Sequence, residues 1–395
     1  PAMLCEEITS ARESIRKLVK ESIRNLTRKA DFPVGFPQIA PDDLGLLLFT
    51  SASDGSPKGV MLTHANLVSN VSALLDLRNP PIVSAEDTVL AVLPLFHVYG
   101  LNTVLTMAIA AGASVVILDR FDAVDSLNVI SREHVTTVAG APAMYLMWSR
   151  VPFVATAMRP IRLLSSGGAP LPVEVFNRFE ELTGMRIFEG YGMTETNAYG
   201  PQNSGDDYIR KPRSSGRAVP ILEVKCFDED MNPLGPGEVG EICFRGPNLI
   251  RGYWNKASAT ADTIVGGWLK SGDLGRIDEE GFVFVEDRAK DMVLRAGENI
   301  YCAEVEAVIY EFEAVHEAAV FGMPHNRLGE EVAVAIMPKK GHPLDVDALL
   351  EHVAAKLAKF KIPTIVELSD EPLPRNASGK ILKKDIRDVL VARRE

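Results

Sequence analysis

The chain of 395 residues is short of cysteine, of positive charge and of repetition, and each shortage removes a class of function. Its four cysteines, Cys5, Cys226, Cys243 and Cys302, are scattered and form no C-x-x-C pair. Neither a disulfide scaffold nor a zinc site is therefore indicated, and the expected location is a reducing cytoplasm. Lysine and arginine number 42 against 53 acidic residues, a net charge of −11, which lacks the basic footprint that a nucleic-acid partner requires. No internal repeat or low-complexity tract occurs, and the N-terminal stretch has no apolar core of a secretory signal. One uncharged run, the 29 residues from Leu90 to Leu118, is long enough to cross a bilayer. Pro94, His97, Gly100, Asn102 and Gly112 punctuate it, so it reads as strand, loop, helix and strand of a buried core, and no membrane span is expected.

What remains is the composition of a soluble globular chain, 46% hydrophobic and 24% charged, with room for two or three domains. Residues 1–40 read as an atypical amphipathic helix, over 6–29, and a proline-rich linker. Residues 41–200 alternate strand and helix. Strands are predicted at Leu44–Phe49, Val89–Leu93, Ser114–Leu118, Thr136–Ala139, Ile161–Ser165 and Arg186–Glu189, and helices at Leu101–Ala110, Ala123–Arg132, Ala143–Trp148 and Val173–Thr183. Such alternation implies an α/β fold with a mostly parallel sheet, which binds ligands at the carboxyl ends of its strands. Residues 201–287 read as a β-rich subdomain with strands at Glu223–Phe227, Glu238–Phe244 and Gly281–Glu286. Residues 288–395 read as a small α+β domain with helices at Ala303–Glu311 and Val346–Leu357 and strands at Val315–Phe321 and Val332–Met337.

One stretch organises the functional reading, Leu46-Leu-Leu-Phe-Thr-Ser-Ala-Ser-Asp-Gly-Ser-Pro-Lys-Gly-Val60. A buried apolar strand breaks into a hydroxyl-rich loop with Lys58, and a helix capped by Thr63 follows through Leu67, Val71 and Leu74. Backbone N–H groups, hydroxyls and a cation in that order suit a phosphate. No Walker G-x-x-x-x-G-K-[ST] can be fitted, and the same stretch also reads as an ordinary surface turn with a solvated lysine.

The stretch resembles the phosphate loop of adenylate-forming enzymes, Thr-Ser-Gly-Thr-Thr-Gly-x-Pro-Lys-Gly. Other segments are similar to that superfamily in the same order: Leu93-Pro-Leu-Phe-His-Val-Tyr-Gly100, Ser165-Ser-Gly-Gly-Ala-Pro170, Tyr191-Gly-Met-Thr-Glu195, Trp268-Leu-Lys-Ser-Gly-Asp-Leu-Gly275, Asp287-Arg-Ala-Lys-Asp291 with Gly297-Glu-Asn-Ile-Tyr301, and Pro374-Arg-Asn-Ala-Ser-Gly-Lys380. The resemblance implies a carboxylate–CoA ligase that uses ATP, Mg²⁺ and coenzyme A on a small-molecule substrate, a fatty or aryl carboxylic acid. An acyl-adenylate forms first, and the acyl group then passes to the thiol.

Carried onto this sequence, the resemblance places Thr50, Ser51, Ser53 and Lys58 around the phosphates and Gly167, Gly168, Ala169 and Gly192 on the adenine side. Tyr191 offers a flat face to adenine, Thr194 a hydroxyl to the α-phosphate, and Glu195 a carboxylate to Mg²⁺, a hard cation that takes one or two carboxylates plus phosphate oxygens. Asp273 suits a ribose diol, with Arg288 beside it. Lys380 would reach both the substrate carboxylate and the α-phosphate, supplying positive charge where negative charge accumulates. His97 would sit at the acyl pocket, Lys290 at the hinge of a C-terminal domain that rotates between half-reactions, and Gly297 on the strand that swings in.

Three positions depart from the family's phosphate loop: Ala52 for Gly, Ser53 for Thr and Asp54 for Thr. A carboxylate about 4 Å from a phosphate costs about 1 kcal/mol in water and about 4 kcal/mol at an effective dielectric near 20. That corresponds to ATP binding weaker by roughly a few-fold to a thousand-fold, unless Mg²⁺ bridges the two. Family members also carry a large α/β portion ahead of this loop, where only about forty residues precede it here. The expectation is a shortened product, or an oligomer that covers the exposed core face. Two alternatives stand beside the ligase reading. One is a non-catalytic nucleotide- or acyl-binding relative. The other is an enzyme that loads a carrier protein, against which Phe96-His97 stands where amino-acid adenylation domains have Phe-Asp.

Overall fold

The computed structural model describes residues 38–50, 57–75, 81–203, 211, 213–288, 291–375 and 381–394. The predicted helix over 6–29, and Ser51, Ser53, Asp54, Lys290 and Lys380, lie outside the described residues.

The phosphate-loop stretch keeps its predicted first strand and its helix after Thr63, with a second strand ahead of the helix. Leu44–Thr50 pairs antiparallel with a second strand, Lys58–Thr63, in register Leu48↔Val60 and Thr50↔Lys58. Lys58 therefore opens a strand, where the sequence placed it in the loop. Val60 and Leu62 are fully buried at alternating positions, the period of two of a strand. The helix follows at His64–Leu75, where the Thr63 cap predicts it. Thr63 and Asn66 cap it reciprocally: Thr63 N–H donates to Asn66 Oδ1 at 2.9 Å and Asn66 N–H to Thr63 Oγ1 at 3.2 Å. Leu44–Thr50 is also not the buried strand its apolar run suggested, for Phe49 is 67% exposed.

The α/β part matches its expectation. Five parallel strands lie in the order Ser114–Ile117, Thr88–Ala91, Thr137–Gly140, Leu163–Ser166 and Ile187–Glu189. Helices Ala123–Arg132 and Val173–Thr183 appear with the predicted bounds. Asp122 caps the first by accepting from Val124 and Asp125 N–H, both at 2.9 Å. One sheet face packs on a core of Leu127, Ile130, Tyr145, Trp148 and Phe179, with edge-to-face rings at 5.4 Å. The other face packs Val89, Ala91, Val104 and Met107 against Phe244 and Leu269 of the β-rich part. Asp87, 3% exposed, pins the sheet's amino end through Arg162 and the Thr136 hydroxyl.

The uncharged run resolves into strand, helix and strand, and among the described residues no helix is long and apolar enough to cross a membrane. Its helix begins earlier than predicted, as a π-helix over Tyr99–Thr106 that continues as Met107–Ala111. A side chain at Gly100 would stand 2.5 Å from the Pro94 carbonyl oxygen, so glycine is what lets the first turn press on the preceding loop.

Trp268–Ile277 is a ten-residue strand that the sequence reading passed over as a motif, because Gly272 and Gly275 mask its pattern. It lies between Gly240–Arg245 and Val283–Arg288 in a five-stranded antiparallel sheet. Beyond it, Val315–His325 and Gly329–Pro338 form the long hairpin of the α+β part, and Ile365–Leu368 joins in parallel. Helices Cys302–Tyr310, Val346–Ala354 and Lys383–Ala392 pack with it.

Candidate functional site

Three of the predicted residues meet at one point. The Tyr191 hydroxyl donates to the Asp273 carboxylate, and Arg288 Nε stands 3.3 Å from Asp273 Oδ1. Asp273 and Arg288 face one another across the strand pair Trp268–Ile277 and Val283–Arg288, which is why residues 15 apart in sequence are neighbours. Asp273 is therefore a strand residue. Burial, and next the negative charge of Asp273, push the Tyr191 phenol well up, so it stays a donor at any physiological pH. Its ring tilts against Phe244 at 5.8 Å.

Gly167 and Gly168 sit at and just beyond the carboxyl end of Leu163–Ser166, where a parallel sheet opens to ligands. A Cβ on Gly167 would come within 3.3 Å of the Gly190 carbonyl and the Tyr99 ring, while Gly168, at φ +82°, and Ala169 are exposed. Gly192 has the tightest requirement of the predicted set, since a Cβ there would lie 2.0 Å from the Ala198 carbonyl oxygen. The loop closes on itself at this point, and Asn197 and Ala198 take φ of +58° and +76° to let it.

Thr194 and Glu195 follow in a short 3-10 turn, Thr194–Thr196. Glu195 is 8% exposed, and its Oε1 accepts from the Tyr253 hydroxyl at 2.8 Å. Lys58 Nζ lies 4.8 Å from the centroid of the same Tyr253 ring. Sequence reasoning missed Tyr253: it stands in Arg251-Gly-Tyr-Trp254, where a two-residue strand too short to show any period carries it. Among the described residues no group of three or more His, Cys, Asp or Glu could hold a metal by itself. A single buried carboxylate is the donor set that Mg²⁺ accepts when phosphate oxygens and waters complete its shell, so Glu195 fits the expected ion.

Buried amides hold this loop from beneath. Asn197 Nδ2 donates to the Asn66 carbonyl at 3.1 Å, Asn70 Nδ2 to the Asn197 carbonyl at 2.9 Å, and Asn102 Nδ2 to Asn197 Oδ1. Asn248 Nδ2 donates to the Thr196 carbonyl at 3.0 Å. The network ties the helix after Lys58, the π-helix after His97 and the Glu195 loop into one unit. His97 accepts the Tyr99 N–H on Nδ1 at 3.1 Å, which places its proton on Nε2, and burial lowers its pKa. Thr50 closes the hairpin opposite Lys58, and Gly297, φ +90°, turns the exposed hairpin between Val293–Arg295 and Glu298–Ile300.

Fold and site together define an AMP-binding enzyme. The chain matches the family profile described as "AMP-binding enzyme" over residues 4–254 and "AMP-binding enzyme C-terminal domain" over residues 304–380, and it belongs to that family. It is 38% identical over 358 residues to a long-chain-fatty-acid–CoA ligase of Bacillus subtilis (strain 168), covering 88% of this chain and 62% of the relative. It is 36% identical to an indoleacetate–CoA ligase of Aromatoleum aromaticum, covering 93% of this chain and 71% of that one. Among solved structures it is similar to ATP-bound MatB from Rhodopseudomonas palustris, with TM-score 0.84 and 34% identity, covering 90% of this chain and 70% of that one. The chain thus spans roughly two thirds of the length of the relatives it matches.

Proposed function

We propose that the chain acts as a carboxylate–CoA ligase, joining a fatty or aryl carboxylic acid to coenzyme A at the expense of ATP. The observation that carries this reading is the Tyr191–Thr196 loop. Its first residue bonds Asp273 beside Arg288, and its Glu195 shares Tyr253 with Lys58. One short loop thus joins a diol-binding carboxylate to a cation and a metal-binding carboxylate, which is the layout of a nucleoside triphosphate from ribose to phosphates. Relatives named for long-chain fatty acids and for indoleacetate support an apolar acid as the substrate.

In the first half-reaction a substrate carboxylate oxygen attacks the α-phosphorus of ATP and pyrophosphate leaves. Asp273 holds the ribose hydroxyls, Lys58 and the hydroxyls of Thr50, Ser51 and Ser53 meet the phosphates, and Thr194 meets the α-phosphate. Mg²⁺, when bound at Glu195, neutralises phosphate charge. Lys380 places its ammonium between carboxylate and phosphate. In the second half-reaction the thiol of coenzyme A attacks the acyl carbon and AMP leaves. Lys290 is the hinge of the rearrangement between the two, and His97, neutral by burial, lines the acyl pocket.

The test is pyrophosphate release with Mg-ATP and a panel of aliphatic and aromatic acids, with and without coenzyme A, comparing the chain with Asp54→Thr. Turnover by the unaltered chain supports the ligase, and the best acid names its class. Turnover only in Asp54→Thr places the defect in the phosphate loop. Silence in both, from folded protein, favours the second reading that Asp54 and Ala52 motivate, a non-catalytic binding relative.

A further inference from the structure

The Tyr253 side chain lies between two groups of opposite charge, and nothing in its packing requires a hydroxyl there. Its ring belongs to the core that holds Val60, Leu62 and Phe244, and it is 5% exposed. A phenylalanine would fill the same space. The hydroxyl instead donates to the buried Glu195 carboxylate at 2.8 Å, and the ring lies 4.8 Å from the Lys58 ammonium. The backbone around it is tied to both neighbours. Trp254 N–H donates to the Gly59 carbonyl at 2.7 Å and Arg251 N–H to the Met61 carbonyl at 3.0 Å, while Ile250 N–H donates to the Glu195 carbonyl at 3.0 Å. Thr260 Oγ1 accepts the N–H of Tyr253 itself at 2.9 Å, which fixes the residue from its far side.

We infer that Tyr253 is a positioning residue that holds the Glu195 carboxylate and the Lys58 ammonium in fixed relation, so that one buried phenol sets both the divalent-cation end and the phosphate end of the site. The inference rests on the ligase reading of Glu195 as a Mg²⁺ contact and Lys58 as a phosphate contact. Its two halves are chemically separable. The hydroxyl acts on Glu195 as a hydrogen bond to a charged group, and the ring acts on Lys58 through its negative face.

The experiment is equilibrium binding of a fluorescent ATP analogue to the full chain, titrated with Mg²⁺, for the unaltered protein, Tyr253→Phe, Tyr253→Leu and Glu195→Gln. Thermal unfolding without nucleotide accompanies it. Tyr253→Phe is expected to fold normally and to need about ten-fold more Mg²⁺ for half-saturation, while keeping its analogue affinity at saturating Mg²⁺. Tyr253→Leu is expected to lose a further several-fold at saturating Mg²⁺, on the order of one cation–π contact. Unchanged Mg²⁺ dependence in Tyr253→Phe, with that dependence lost in Glu195→Gln, overturns the role of Tyr253 and leaves the reading of Glu195 standing. Unchanged dependence in Glu195→Gln, or no binding by the unaltered chain, overturns both.

Discussion

The Tyr191 hydroxyl bonds the Asp273 carboxylate across 82 residues of sequence, and Arg288 flanks the same carboxylate from the neighbouring strand. The pair joins the parallel sheet's last loop to the antiparallel sheet. Tyr191→Phe removes one donor from a buried charge and is expected to cost about 1–3 kcal/mol of stability. Urea unfolding of the two proteins checks it. An unchanged midpoint would mean that Arg288 alone satisfies Asp273.

Gly192 and Ala198 make an opposed pair of predictions. Gly192→Ala forces a Cβ to 2.0 Å from the Ala198 carbonyl oxygen, so the loop that carries Glu195 must shift. A loss of about 3 kcal/mol is expected, together with weaker nucleotide binding. Ala198→Gly keeps the same φ of +76° without a strained side chain and is expected to gain up to about 1 kcal/mol. Thermal unfolding of both variants gives the two signs, and a gain from Gly192→Ala would contradict this geometry.

Asp287 supplies a pH dependence. Burial raises its pKa to about 6, against the opposing pull of Lys383 and of the N–H groups of Arg288 and Cys302. Its folded pKa lies above its unfolded value of 3.8, so its contribution is intact below about pH 4 and is lost as pH rises through about 6. Asp287→Asn keeps an acceptor for the Cys302 N–H and removes this fall, so it should gain stability over the native chain above pH 6, by up to about 3 kcal/mol. Asp87 works in the opposite sense. Burial raises its pKa, but hydrogen bonds from Arg162, Thr136 and Ser84 outweigh burial and bring it to about 2. Its contribution is present above pH 3.8 and is lost toward pH 2. Unfolding free energies from pH 4 to pH 8 for Asp287→Asn isolate the first effect.

Lys380→Ala should abolish adenylation, read as pyrophosphate release, and leave thioester formation from a supplied acyl-adenylate. Equal loss of both half-reactions would remove Lys380 from this role.

Much of the fold was legible. Helix Ala123–Arg132 carries its Asp122 cap and Val173–Thr183 its Gly184 stop, each beside an apolar stripe in plain order. The strand Lys58–Thr63 is not legible in the sequence, because six residues between a loop and the Thr63-capped helix are too few to show a period of their own. Only pairing with Leu44–Thr50 and Gly252–Tyr253 selects the strand. The strand Trp268–Ile277 was hidden by its glycines, and its partners supply the order that its own residues do not.

The sequence by itself determined the α/β alternation, the family motifs and the chemistry available at Lys58, Tyr191, Glu195, Asp273 and Arg288, because residue type and local spacing are written along the chain. Tertiary structure alone decided which of these meet. Asp273 faces Arg288 by strand register, Tyr191 reaches Asp273 across the sheets, and Tyr253 stands between Glu195 and Lys58. Buried amides on four separate segments fix the loop they share. Such contacts arise from packing between distant segments, and no periodicity within a single segment encodes them.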